Sequence, residues 1–200
     1  MDDNPRWSLT RLSTATTEPV SATDAKKQLR VEHGDDDGYI AGLIRVAREE
    51  VEEDTGRSFP LTTWDYRADA FPDGSDDFIE LPRSPLLSVS TVAYTQASAT
   101  SESTMAATDY LVDTGSEPGR VYLKSGATWP AFLLTWANGV RVRFKAGYAT
   151  TATGSAANTP ERAKQVIKLR VEQAYYGRDD KAAERAIDAL VNSLNAKRYR

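Results

Sequence analysis

Apolar side chains recur at Ile40, Leu43, Ile44, Ala47 and Val51, the i, i+3, i+4, i+7, i+11 spacing that lines one face of an α-helix. The opposite face carries Arg45, Arg48, Glu49, Glu50, Glu52 and Glu53. The pattern predicts a helix over 36–55 with one buried and one wet side, along which Arg45/Glu49 and Arg48/Glu52 are spaced to pair weakly. Asp35, Asp36 and Asp37 suit the positive N-terminal end, and Gly56 suits a left-handed stop. Upstream, Ser21-Ala-Thr-Asp24 resembles a capping box with Asp in the Glu position. It opens a short helix over 21–31 that turns Ala25, Leu29 and Val31 inward, and the two helices form a hairpin through 32–37.

Beyond Arg57 the period falls from 3.6 to 2. Trp64, Tyr66, Ala68 and Ala70 alternate with Thr63, Asp65, Arg67 and Asp69, which predicts a half-buried strand. Further extended segments follow at 78–81, 87–95, 110–113 and 120–123, divided by turn chemistry at 71–75 and 114–119. The Ala/Ser/Thr run 96–108 has too little apolar surface to order itself and reads as a long exposed loop, as does 149–158. Asn138-Gly139 favours the positive φ angles of a type I′ hairpin and leads into Val140, Val142 and Phe144 alternating with Arg141, Arg143 and Lys145.

The chain closes on helical patterns. Thr159-Pro-Glu supplies a cap and a first-turn proline ahead of Ala163, Val166, Ile167, Val171 and Ala174, and Gly177 ends that helix, over 160–176. A last helix over 179–195 sets Ala183, Ala186, Ile187, Leu190 and Leu194 on one face. Residues 1–19 are polar and aperiodic, with Trp7 and Leu9 as the only anchors, and read as a flexible N-terminal arm; 197–200 read as a C-terminal tail. The sum is an α+β fold in one domain over 20–196: an N-terminal helix hairpin, a small mostly antiparallel sheet with strands between 62 and 147, and C-terminal helices.

With 200 residues and 22.0 kDa, one domain buries roughly 70% of the surface its unfolded chain exposes. There is no cysteine, hence no disulfide framework, thiolate nucleophile or cysteine-based zinc site. The longest apolar run is a few residues at 132–134, so no signal peptide or membrane span is expected, and the chain reads as soluble and made in a cytoplasm. A net charge of −4 and a pI near 5.2 argue against a protein whose main task is to grip nucleic acid.

Candidate chemistry is sparse. His33, the only histidine, neighbours Asp35 to Asp37, but consecutive aspartates lack the alternating ligands and distal carboxylate of a calcium loop. A solvated, helix-capping loop is the better reading. No nucleophile motif accompanies that histidine, and the acids at 49–53 fit a solvated helix face better than the paired carboxylates of a cell-wall hydrolase. No cofactor or metal is expected. Arg141, Arg143 and Lys145 form a basic strip that either meets a phosphate backbone or acidic partner, or simply protects an exposed strand from edge pairing; the acidic balance of the chain favours the second.

Together the segments resemble a family. Asp24-Ala-Lys-Lys-Gln-Leu-Arg-Val31, the acidic loop, Thr55-Gly-Arg57 and Trp64 are followed in order by Ile79-Glu-Leu-Pro-Arg-Ser-Pro-Leu-Leu-Ser-Val89 and Asp109-Tyr-Leu-Val-Asp113. Then come Glu117-Pro-Gly-Arg-Val121, Trp129-Pro130 and Val142-Arg-Phe-Lys-Ala-Gly-Tyr148. From about Thr17 to Gly177 the chain resembles the head-tail connector, or adaptor, proteins of tailed bacteriophages and prophages. The N-terminal arm and the runs 96–108 and 149–158 depart from that pattern.

The resemblance implies a non-enzymatic virion protein, made in the host cytoplasm, that sits at the head-tail interface. It implies a ring of about twelve copies beneath the portal protein after DNA packaging, which extends the DNA channel and docks the next connector, stopper or tail protein. Double-stranded DNA would pass without sequence-specific binding, and no membrane is involved. It also implies a C-terminal contact with the portal, here Lys197, Arg198, Tyr199 and Arg200. The predicted helix 36–55, through Arg45, Arg48, Glu49, Glu52 and Glu53, becomes the lumen-side or inter-subunit wall. The rival readings are a DNA-binding protein of the packaging machinery, using the first helices and the 141–145 strip, and the hydrolase.

Overall fold

The computed structural model describes residues 7–13, 17–72, 78–131, 133–148, 158–177 and 181–195. Among them the elements run β1 (Trp7–Arg11), α1 (Ala22–Leu29), α2 (Asp37–Thr55), β2 (Thr62–Ala68), β3 (Phe78–Leu81) and β4 (Leu86–Tyr94). They continue β5 (Ser103–Thr104), β6 (Tyr110–Asp113), β7 (Gly119–Leu123), β8 (Val140–Ala146), α3 (Glu161–Tyr176) and α4 (Lys181–Leu194). This is the expected α+β order of helix hairpin, antiparallel strands and closing helices. No described helix is long and apolar enough to cross a membrane.

The chain divides into two compact units, where the sequence reading has one domain. The helical unit takes the described residues of 15–61 and 147–199, and the sheet unit those of 1–14 and 62–146. The physical reason is that each has its own core. In the helical unit Ala25 and Leu29 of α1, Ile40, Ile44, Ala47 and Val51 of α2, Ala163, Val166, Ile167 and Val171 of α3, and Ile187, Val191 and Leu194 of α4 form one buried cluster. In the sheet unit Trp64, Ile79, Leu81, Val92, Val121, Val140, Val142 and Phe144 form another. Sheet faces and helix stripes each find their complement locally, so each change of period in the sequence is also a change of core.

Local chemistry sets the helix ends. Ser21 Oγ accepts from Asp24 N at 3.0 Å and lies 2.7 Å from Asp24 Oδ2, so the expected cap is present. Arg30 (φ 57°) and Gly56 (φ 64°) turn the chain out of α1 and α2 in the left-handed conformation. The N-cap of α3 is Pro160 rather than Thr159, whose hydroxyl is buried. In α4 the buried seam is Ile187, Val191 and Leu194, while Ala186 faces solvent. Just past α2, the buried Arg57 donates from Nε to the Leu194 carbonyl at 2.5 Å and from Nη1 to the Tyr148 hydroxyl at 2.7 Å. A carbonyl left without a partner at the end of α4 is thereby satisfied by a cation, the charge that a helix C-terminus favours.

The sheet unit holds a five-stranded sheet of order β1-β2-β8-β4-β5 and a three-stranded one of order β3-β7-β6, with every pairing antiparallel. Three readings change here. Trp7–Arg11 is no arm: it pairs along Trp64–Ala68 of β2, Trp7 stacks on Tyr66 with ring centroids 6.0 Å apart, and Arg11 lies over Trp64. Its alternation was too short to register, and β2 supplies the partner. Within 96–108, Ser103–Thr104 pairs with the end of β4 and Met105 is buried. Asn138-Gly139 forms no two-residue hairpin, because only Asn138 takes positive φ (55°) and the chain before it is not a strand. Instead Asp69 Oδ1 accepts from Asn138 N at 3.0 Å, and Gly139 O accepts from Thr95 N at 2.8 Å. Most of 149–158 lies outside the described residues.

Candidate interaction surfaces

On the polar face of the larger sheet the register sets Thr63 beside Lys145, Asp65 beside Arg143 and Arg67 beside Arg141. Arg143 donates to both oxygens of Asp65, from Nε at 2.8 Å and from Nη2 at 2.9 Å. Arg141 donates to Glu102 from Nε at 3.0 Å and from Nη2 at 2.5 Å, and its Nη1 stands 3.7 Å from Asp65. Arg67 reaches Glu102 at 3.6 Å and Asp65 at 4.0 Å. Three guanidiniums thus face two carboxylates. Hydrogen bonds from Arg143 and Arg141, outweighing burial, hold the carboxyls of Asp65 and Glu102 below their usual range. In return the hydrogen bond to Asp65 raises the pKa of Arg143.

The basic strip is therefore a lattice of paired charge. Arg141 and Arg143 are engaged by acids, and Lys145 is exposed beside them. A polyanion approaching this face would have to displace or bridge existing carboxylates, which is a poor basis for phosphate affinity. Asp65, one of the polar positions in the alternation of the half-buried strand, is only 4% exposed at the centre of the lattice. Its burial depends on arginines that arrive from another strand, and only the register reveals them.

The outer face of α2 differs from its reading at two positions. Arg48 and Glu52 are buried, not solvated, because Glu18 and the segment after Arg57 cover that sector. Arg48 donates to Glu18 at 2.7 Å, to Glu52 at 2.7 Å and to Glu49 at 3.1 Å. Glu52 also accepts from the Phe59 backbone N–H at 2.8 Å. Burial alone would lower the Arg48 pKa, but the charges of Glu52, Glu18 and Glu49 more than offset it and the net shift is upward. Of the candidate wall residues, Arg45, Glu49 and Glu53 remain exposed. Farther round the helix, Glu50 and Asp54 take a fork from Arg170 of α3, at 3.0 and 2.5 Å.

The acidic loop before α2 is tied rather than merely solvated. Lys26 donates to the His33 carbonyl at 2.6 Å and to Asp37 at 2.7 Å, and the Tyr175 hydroxyl donates to Asp36 at 2.6 Å. That last bond helps push the Tyr175 pKa up to about 12. His33 Nδ1 stands 3.8 Å from Asp35, and among the described residues no cluster of three metal-ligating side chains occurs. Lys197, Arg198, Tyr199 and Arg200 lie outside the described residues.

One surface was not anticipated. Leu133 is 80% and Trp136 96% exposed, on the loop that leads into β8. The signal was in the sequence: residues 125–140 contain no charge in a chain that is 27% Asp, Glu, Lys and Arg.

The described residues thus build a helix hairpin, a sheet unit with a paired-charge face, and closing helices. Residues 21–114 match the family model described as phage gp6-like head-tail connector protein, which bears out the resemblance read from the residues. Solved structures share the fold. A chain from the neck of an empty gene transfer agent (GTA) particle computed with C6 symmetry is 21% identical with a TM-score of 0.76. One from a native GTA virion is 20% identical with a TM-score of 0.76, and one from the neck of a native particle computed with C12 symmetry is 20% identical with a TM-score of 0.74. Each alignment covers 96% of this chain and 97% of the other. A comparison with curated proteins gives no match.

Proposed function

We propose that this chain is a structural, non-enzymatic virion protein that joins head to tail. About twelve copies close into a ring beneath the portal protein after packaging, extend the DNA channel, and present a surface to the next connector, stopper or tail protein. The observation that carries this is the match of residues 21–114 to the connector family model, and the C6 and C12 symmetry of the GTA necks whose chains share this fold supports a ring. The chain acts in the virion and is made in the host cytoplasm. DNA slides past it without sequence-specific contact, in keeping with the paired charges at 65, 102, 141 and 143. The C-terminal Lys197, Arg198, Tyr199 and Arg200 reach the portal. The exposed α2 residues Arg45, Glu49 and Glu53 belong to the wall between subunits or toward the lumen, and Lys145 faces a partner.

The test is co-sedimentation of the purified chain with DNA-filled heads that carry a portal but lack this component, comparing the full chain with one ending at Asn195. Binding of about one ring per head, lost on truncation, is the expected result. Binding that survives truncation moves the portal contact to the helices or loops. No binding to heads under conditions where free DNA is bound sinks the proposal in favour of a DNA-binding role.

A further inference from the structure

The loop carrying Leu133 and Trp136 is braced at its base. Leu133 O accepts from Ala97 N at 2.8 Å, Thr135 N donates to Thr95 O at 3.1 Å, Leu134 bridges to Gln96, and Asn138 N is held by Asp69. Leu134 packs against the sheet core, so its neighbours Leu133 and Trp136 project from a fixed base. A tryptophan held ready in this way loses little conformational freedom on docking, and tryptophan is the side chain most enriched among the residues that dominate interface energies. The run 125–140 carries no charge of its own, so an apolar partner suits it better than an ionic one.

The same chain offers an apolar counterpart. On α2, Tyr39 is 55% and Val46 53% exposed, at i and i+7 of one face. Between them lies Gly42, where an added Cβ would meet no atom within 4 Å. Residues 38–44 carry no charge, and the exposed Arg45, Glu49 and Glu53 rim the C-terminal side. A ring built by heterologous contacts requires one chain to carry both halves of its interface. Leu133 and Trp136 together offer roughly 300 Å² or more, a large part of the about 800 Å² that each partner of a standard interface covers.

We propose that Leu133 and Trp136 of one copy seat on the Tyr39–Gly42–Val46 face of α2 in a second copy, forming the apolar centre of the lateral contact. This rests on the ring reading above and names the surfaces that close the ring.

Because the chain has no cysteine, engineered thiols report the contact directly. The full chain with Trp136→Cys and Gly42→Cys, treated with a short bis-maleimide, is expected to give a ladder of cross-linked multimers on portal-bearing heads and, more faintly, in concentrated free protein. Each single variant should give none above dimer. Separately, Trp136→Ala should weaken self-association by at least about tenfold while leaving the far-ultraviolet circular dichroism unchanged. Retained binding to heads without a ladder overturns the contact and leaves the connector reading standing. Cross-links from Trp136→Cys to the portal overturn it in favour of a portal contact. If the parent chain fails to bind heads, the connector reading falls, and the free-protein ladder alone decides: present, it supports the contact; absent, it overturns it.

Discussion

At Asp65 a carboxylate 4% exposed faces the guanidiniums of Arg143, Arg141 and Arg67. Its folded pKa is depressed, chiefly by the hydrogen bond from Arg143. The unfolded chain therefore binds the proton more readily, so the stabilisation is full above the ordinary carboxylate range and is lost as pH falls through the folded value. Asp65→Asn should cost about 1–3 kcal/mol at pH 7, toward the low end because Arg143 is partly solvated. Urea midpoints should also vary less below about pH 4 in the variant than in the parent. Equal acid sensitivity of the two proteins would refute this account of the lattice.

Arg48 and Glu52 make the complementary case, a pair in the helical core. Arg48→Met leaves the Glu52 charge buried with its strongest partner gone, and about 3–5 kcal/mol of stability should be lost in urea titrations. Adding Glu52→Gln removes that charge while keeping an oxygen for the Phe59 N–H, so the double variant should recover at least half of the loss. If the two changes simply add, the pair is not the unit described here.

At the scale of the elements, the exit from β8 is tightly constrained. Gly147 holds φ 138°, and an added Cβ would stand 2.3 Å from the Pro60 carbonyl oxygen, a backbone atom that cannot swing away. Gly147→Ala should cost about 3 kcal/mol or more, combining steric overlap with backbone strain, and should lower the thermal midpoint accordingly. The neighbouring Tyr148 closes the same corner: its amide donates to Phe59 O at 3.0 Å and its ring stacks on Phe59. The motif Val142-Arg-Phe-Lys-Ala-Gly-Tyr148 thus joins a strand to a tight turn against residues 59–61, a physical reason for its composition.

For the whole molecule, an acidic balance and a paired-charge face predict weak affinity for duplex DNA. At about 0.15 M salt the free chain should bind with Kd no tighter than about 100 μM by fluorescence anisotropy. Micromolar binding with a steep salt dependence, lost on replacing Arg141 and Arg143 by Ala, would revive the DNA-binding reading.

Periodicity and end signals were enough to place the four helices and most strands, because each depends on contacts within a turn or between neighbours along the chain: the Ser21 cap, the Gly56 stop, the alternation from Trp64 and from Val140. The connector resemblance was likewise legible, since it is carried by short motifs in order. What the tertiary structure alone decided depends on partners distant in sequence. The strand Trp7–Arg11 exists because β2 pairs with it, and Asp65 is an interior acid because Arg143, 78 positions away, reaches it. Arg48 and Glu52 are interior because Glu18 and Phe59 close over them, and Trp136 stands clear because the loop is pinned at 95–97. A side chain's own chemistry and spacing show which face it could join; whether that face meets water or another segment is fixed only when the segments meet.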